Sequence, residues 1–360
     1  MNQNEIEPIA ASLKERCHDT GAGYYTLSVS DTAPPVRLFL SPKLWAQTSE
    51  LLYHQIRTAT QYPDVRDICL TPDAHVGSTV PVGCVIATGE TLLHSPVGYD
   101  IGCGILSFRS DVPVSKGRDE RLKRKWSEEV MKRVGVGVGQ RGNVSVTRRE
   151  LQNIIRGGAT ALNYTNAETE RPFLSVDDDW NPPAKATEKG LQQLGSLGGG
   201  NHFIELQAGD DGFLWGMIHT GSRGFGYQLA AHYIALARAE MKERGHGKGD
   251  GDGTYFPPDS PHHRGYQNAV AAGGNFATAN RLTIWEQVAT AFRRVFGQEP
   301  ELFYEISHNL AQRETLATGE AAWVHRKGAT RAFPAGHSAL SGTKWADTGH
   351  PVLIPGSMGD

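Results

Sequence analysis

Two residues in the stretch GYDIGCGI, residues 98–105, can do chemistry that their neighbours cannot. Asp100 offers a carboxylate and Cys103 a thiol, three positions apart among glycines and small apolar residues. A histidine stands in a similar setting in LGSLGGGNHFIEL (194–206, His202), in IHTGSRGFG (218–226, His219) and in ISHNLAQRE (306–314, His308). Taken singly, each has an ordinary reading: a lone cysteine as a small buried hydrophobe, an aspartate near glycine as a turn residue, His202 and His219 as satisfied core histidines beside strand-like runs. Taken together, one thiolate, one carboxylate and three imidazoles make a ligand set for metal ions.

Other pieces share the same character, among them PDAHVGSTVPVGC (72–84), VHRKGATRAFP (324–334) and VLIPGSMG (352–359). Glycine permits positive φ and close backbone approach, which a site that wraps phosphates needs. One such piece would carry little weight; several argue for a polar site assembled from the whole chain. Cys17, Cys69, Cys84 and Cys103 are too few and too scattered for a disulfide framework, and no CxxC pair marks a zinc ribbon. Any metal site must therefore draw its ligands from distant segments.

The elements that would position these residues read as a mixture. Strands are expected in GYYTLSVS, PVRLFL, VRDICL, VGCVIAT and GILSFRS, then in HFIELQA, FLWGMIH, AAWVHRK and PVLIPGS. Helices are expected over SPKLWAQTSELLYHQIRTA, with Ser41 and Pro42 suited to its N-cap and first turn, and over 118–134, 146–157, 227–243 and 276–296. There is no regular βαβ rhythm, so the expected fold class is α+β with a mixed sheet and flanking helices. The Gly, Asp and Pro-rich stretch 244–265 is expected to be a mobile loop.

At 360 residues the chain can bury a large core, and its hydrophobic share of 39% is that of a soluble globular protein. No run approaches a membrane span, and the polar, acidic N-terminus lacks the regions of a signal peptide, so no membrane partner and a cytoplasmic location are expected. A net charge of −3 supplies no global field for a polyanion, so nucleic acid would need a local basic patch. RDERLKRKW (118–126) and HRKGATR (325–331) are the two candidates, the first reading more simply as a solvated helix face.

Three familiar patterns fail. GVGQRG (137–142) has the letters of a dinucleotide fingerprint but follows a helical stretch where a strand is required. DGDGTYFPPDSP (250–261) opens like a calcium loop, yet Tyr255 and Pro261 occupy the positions of the required Gly and Glu. KGDG (248–251) has the letters of a lysine-adenylylating ligase motif without an adjoining apolar strand.

The combination DIGCG, GGGNHFIE, HTGSRG, SHN and PGSMG resembles the RtcB family of GTP- and manganese-dependent RNA ligases, in family order from about residue 60 to 360. The resemblance implies an RtcB-type fold forming a single catalytic domain over 1–360. It implies joining of an RNA 3′-phosphate or 2′,3′-cyclic phosphate end to a 5′-hydroxyl end through a guanylylated histidine, as in RNA repair or tRNA splicing. Cys103 would bridge two Mn²⁺ ions, with Asp100 and His202 completing one ligand set and His219 and His308 the other. Asn201, His202, Phe203, Ile204, Glu205, His308, Asn309 and the loop Pro355, Gly356, Ser357 and Met358 would surround GTP. Arg223 would contact RNA phosphate, and Arg326, Lys327 and Arg331 would supply the basic patch. An archease-type activator is a further partner that the family allows.

Ligand softness pulls the other way on the metal, since thiolate and imidazole favour zinc or copper over manganese. The resemblance also departs at its end. The family's nucleophilic histidine lies in an HGAGR-like motif downstream of PGSMG, and a lysine near the family's C-terminus also holds the nucleotide; this chain ends at PGSMGD. The expectation is therefore a truncated chain without the C-terminal part of the family fold, its catalytic nucleophile unassigned. The alternatives are a two-metal phosphatase or nuclease, or an inactive metal- and RNA-binding fragment. His75 and His325 fall in family motifs without an assignable role.

Overall fold

The computed structural model describes residues 11–164, 175–245 and 253–355. Helices and strands are mixed as the patterning requires, giving an α+β fold. The chain divides into two compact units. One comprises Met1–Gly98, Ala230–Gln267 and Asn309–Ala329; the other comprises Tyr99–Leu229, Asn268–His308 and Thr330–Asp360.

The first unit is built on a seven-stranded sheet in the order Cys17–Asp19, Tyr25–Leu27, Val36–Leu38, Val65–His75, Val82–Thr88, Ala321–Lys327, Asn309–Thr315. Its neighbours are antiparallel except the pair Val36–Leu38 and Ile68–Leu70, which run parallel. Leu27, Val36, Leu38, Ile68, Leu70 and Ile86 are fully buried, together with Tyr53 and Ile56 of the helix Glu50–Thr60. The single helix expected from Ser41 onward is in fact two, Pro42–Ala46 and Glu50–Thr60. Ser49 explains the break: its Oγ accepts from Leu52 N at 3.3 Å and caps the second helix, just as Ser41 caps the first.

The second unit carries the residues of interest on a four-stranded antiparallel sheet in the order Phe203–Ala208, Phe213–Thr220, Gly104–Pro113, Glu301–Ser307. The central strand is buried along residues 104–108 because both faces are covered. Leu106 and Phe108 point with Ile218 and Leu214 into a core that includes Trp285, Val288 and Phe292, while Ile105 points with Tyr304 and Ile306 toward Leu340, Trp345 and Leu353.

Some expectations are corrected. The helix expected at 276–296 begins at His263, and the one expected at 227–243 begins at Arg223. The Gly273–Gly274 pair reads as a breaker but lies inside the helix, where it allows close approach: a Cβ on Gly273 would sit 2.7 Å from Ile101 Cγ2. Helix Ala184–Gln193 is an addition to the expected elements; the face it buries consists of the small or polar residues Ala186, Thr187, Gly190 and Gln193, which form no apolar stripe in the sequence. Residues 351–355 of PVLIPGS form no strand. Within the stretch expected to be a mobile loop, Tyr255–Phe256 pairs with Leu92–Leu93 and helix begins at His263; residues 246–252 lie outside the described residues.

Candidate metal centre

The four strands of the second unit's sheet alternate in direction, so strand starts and strand ends meet along one edge. His202 precedes Phe203–Ala208, His219 lies near the end of Phe213–Thr220, Cys103 precedes Gly104–Pro113 and His308 follows Glu301–Ser307. Four potential ligands from segments up to about two hundred residues apart therefore line one end of one sheet, as the register Gly104↔Thr220 and Gly104↔Ser307 requires.

Asp100 joins them through a turn. Cys103 N donates to Asp100 O at 3.0 Å, and Gly102 in the third position has φ +76°, as a type II turn demands. Gly102 is also pressed against the long helix, where an added Cβ would lie 2.8 Å from both Ala277 Cβ and Gly274 Cα. The DIGC spacing thus turns the carboxylate and the thiol toward the same point.

The resulting donors converge. Asp100, Cys103 and His202 place one ligand atom each within 4.8 Å of one another, and so do Cys103, His219 and His308. Cys103 is common to both groups. Its Sγ lies 3.5 Å from His202 Nε2 and 3.3 Å from His219 Nε2, His202 Nε2 lies 2.9 Å from Asp100 Oδ2, and His219 Nε2 lies 3.3 Å from His308 Nε2.

Backbone carbonyls orient the rings. His219 Nδ1 stands 3.0 Å from Asn201 O, which can only accept, so Nε2 presents its lone pair to Cys103 and His308. His202 Nδ1 faces an acceptor, Leu197 O, and a donor, Arg223 Nη1, both at 3.0 Å. The ring can therefore carry its proton on Nε2, donated to Asp100, or on Nδ1, donated to Leu197, which frees Nε2 for an ion.

Electrostatics favours a cation at this point. Burial and the charge of Asp100 push the Cys103 thiol well above its ordinary range. Burial opposes the charge of Asp100 as well, but the hydrogen bond and charge of His202, with Arg223, outweigh it and hold the carboxyl below its usual range. Burial and His202 lower His219 to about 4, and burial and His219 lower His308 well below its ordinary value, so both rings are neutral near pH 7. Among the described residues, the buried His308 Nδ1 has no hydrogen-bond partner. A soft sulfur donor, a carboxylate and neutral imidazoles with an orphaned nitrogen fit divalent cations, whose binding would deprotonate the thiol.

The other expected site residues are placed as follows. Phe203 packs edge-on against the His219 ring at 5.3 Å between centroids, Ile204 and Glu205 continue its strand, and Glu205 accepts from Gln207. Asn201 is exposed and contributes its carbonyl to His219. Asn309 Oδ1 accepts from Gly328 N, and Pro355 is half-buried. Gly356, Ser357 and Met358 lie outside the described residues. His75 is exposed, with Nδ1 near Asp73 O.

The basic patch expected from HRKGATR is corrected. His325 is fully buried, bridging Ile86 O and Leu93 N, and Arg326 is buried in a two-pronged pair with Glu314 at 2.5 and 2.9 Å. The two are neighbours on a strand paired on both sides and so point to opposite faces, and both are buried because residues 322–326 are covered on both faces. Lys327 remains half-exposed, near Ser78 Oγ and Val80 O, and Arg331 lies over the Phe333 ring.

Sequence reasoning missed Arg281 and Glu305, a fully buried ion pair in this unit. The signal is faint but present: one cation in the apolar helical run ANRLTIW and one anion in the strand FYEIS.

A family model described as tRNA-splicing ligase RtcB matches residues 55–360. The tRNA-splicing ligase RtcB of Pyrobaculum aerophilum is 36% identical over 327 residues, which cover 80% of this chain and 66% of that protein. That of Methanococcus maripaludis is 32% identical, covering 90% of this chain and 74% of the relative. The RNA-splicing ligase RtcB of Mycobacterium tuberculosis is 34% identical, covering 84% and 77%. The chain spans 66% of the length of the Pyrobaculum relative.

Proposed function

The chain belongs to the RtcB family, and from that premise we propose that it serves RNA ligation, joining an RNA 3′-phosphate or 2′,3′-cyclic phosphate end to a 5′-hydroxyl end with Mn²⁺ and GTP. The observation that carries this reading is the pair of three-donor groups sharing Cys103 at one end of the four-stranded sheet. Asp100, Cys103 and His202 would hold one ion, and Cys103, His219 and His308 the other. Two divalent cations so held supply charge neutralisation for phosphate and alignment for in-line displacement at phosphorus.

The chain's own residues supply orientation and desolvation. Asn201 O and Leu197 O fix the rings, and the apolar strands behind them limit water. Asn201, His202, Phe203, Ile204, Glu205, His308, Asn309 and residues Pro355, Gly356, Ser357 and Met358 are proposed as GTP contacts, Arg223, Lys327 and Arg331 as RNA phosphate contacts. Arg326 is withdrawn from that set because Glu314 already neutralises it. A histidine nucleophile toward the α-phosphate of GTP is part of the same reading, with no residue of this chain assigned to it. One catalytic domain over 1–360, a cytoplasmic setting and an archease-type activator complete the proposal; among the described residues, no helix is long and apolar enough to cross a membrane.

The test incubates the purified full-length gene product with a 3′-phosphate RNA and a 5′-hydroxyl RNA, with Mn²⁺, with and without GTP. The expected product is a joined RNA that requires both additions and disappears in Cys103→Ser. GTP-independent release of phosphate or shortening of the RNA would replace ligation with phosphatase or nuclease chemistry.

A further inference from the structure

We infer that Arg281 is the positioning residue for the ion held by Cys103, His219 and His308, and that it governs occupancy of this position separately from the Asp100–Cys103–His202 position. The inference rests on the two-ion reading above and extends it to a residue that touches neither ion.

Arg281 is fully buried on the long helix His263–Phe296. Its Nε donates to Glu305 Oε1 at 2.7 Å; Nη1 donates to Gly102 O at 2.7 Å and Thr220 O at 2.9 Å; Nη2 donates to Ser307 Oγ at 2.8 Å and reaches Thr278 Oγ1 at 3.4 Å. All five guanidinium hydrogens thus have acceptors. Three of these acceptors belong to residues directly adjacent to ligands: Gly102 to Cys103, Thr220 to His219, Ser307 to His308. They come from three different strand termini, so one planar fork fixes the mutual spacing of one complete ligand group.

The other group is held differently. Asp100 has Ser222 Oγ and His202 against it, His202 has Leu197 O and Arg223, and Cys103 keeps its own turn bond to Asp100 O. Arg281 donates to neither Asp100 nor His202. A lysine could keep the charge opposite Glu305, but its single ammonium cannot reproduce the geometry of the fork.

The test is Co²⁺ titration of the whole chain, read by metal content and by the absorption of thiolate- and imidazole-bound Co²⁺, with far-UV circular dichroism as a check on folding. Wild type is expected to take two ions per chain and Arg281→Lys one, with the remaining ion's spectrum unaffected by adding His308→Ala. Ser307→Ala, which removes the Ser307 Oγ acceptor from the Arg281 fork, is expected to weaken the second ion by about 10-fold, the lower range for losing a partner that orients a ligand. It also serves if Arg281→Lys does not fold. Two ions with unchanged spectrum and affinity in both variants would overturn the inference, as would loss of both ions from a folded Arg281→Lys. A wild type that binds no metal would instead remove the two-ion reading, and this inference with it.

Discussion

Cys103 is the residue on which both donor groups depend, so its loss should be felt twice. Cys103→Ser is expected to lower metal content from two ions to one or none and RNA joining by more than about 100-fold, beyond the usual cost of altering an outer partner; unchanged stoichiometry by elemental analysis would contradict it. The same residue sets the pH dependence of binding. His219 at about 4, and His308 well below its ordinary value, are already unprotonated at neutral pH, whereas burial raises the Cys103 thiol. Ion binding should therefore release a proton from Cys103 and tighten as pH rises from 6 to 8, which calorimetry in buffers of different ionisation enthalpy can count. The five donors are legible in the sequence because each stands among Gly, Ser or Asn residues and their motifs together carry a family resemblance. Arg281 is not legible, because a single buried cation has no spacing to betray it and its importance lies in which backbone carbonyls it reaches.

Elements explain why those donors meet. The DIGC turn depends on Gly102, whose positive φ and contact with Gly274 Cα both exclude a side chain. Gly102→Ala is expected to cost about 1–3 kcal/mol, as left-handed strain does in a non-glycine residue, and to weaken metal binding by separating Asp100 from Cys103. Urea unfolding and metal titration of the same variant check the two effects, and an unchanged urea midpoint would refute the first. At this scale the strands were largely legible from alternation and short apolar runs. Helix starts were less so: Gly273 and Gly274 look like breakers when read locally, yet they are there for the close approach of the DIGC turn, a tertiary fact with no local signature. The HRKGATR stretch misled for a related reason, since its first two residues lie on a strand that is paired on both sides and covered on both faces, so His325 and Arg326 are buried although they point in opposite directions.

At the scale of the whole molecule, several buried histidines make the metal-free protein sensitive to acid. His94 is lowered to about 3, and His219 and His325 to about 4, in each case chiefly by burial, from an ordinary value of 6.5. Between those values the unfolded chain holds more protons than the folded one, so their contribution to stability is fully present above about pH 6.5 and is lost as pH falls toward 4 and below. Thermal unfolding of the metal-free protein at pH 7.5, 6 and 5 should show Tm falling in that order; a flat profile would contradict the burial argument. At neutral pH, free Mn²⁺ at 100 times its Kd should add about 2.7 kcal/mol per independent site. Zinc, favoured by thiolate and imidazole donors, should compete with Mn²⁺ and suppress joining. The central claim is that one cysteine bridges two ions at the end of the four-stranded sheet. The most direct measurement is anomalous scattering at the manganese edge from crystals grown with Mn²⁺. The account predicts two peaks flanking Cys103 Sγ, one toward Asp100 and His202 and one toward His219 and His308. No peak within bonding distance of that sulfur, at Mn²⁺ concentrations that support RNA joining, would contradict it.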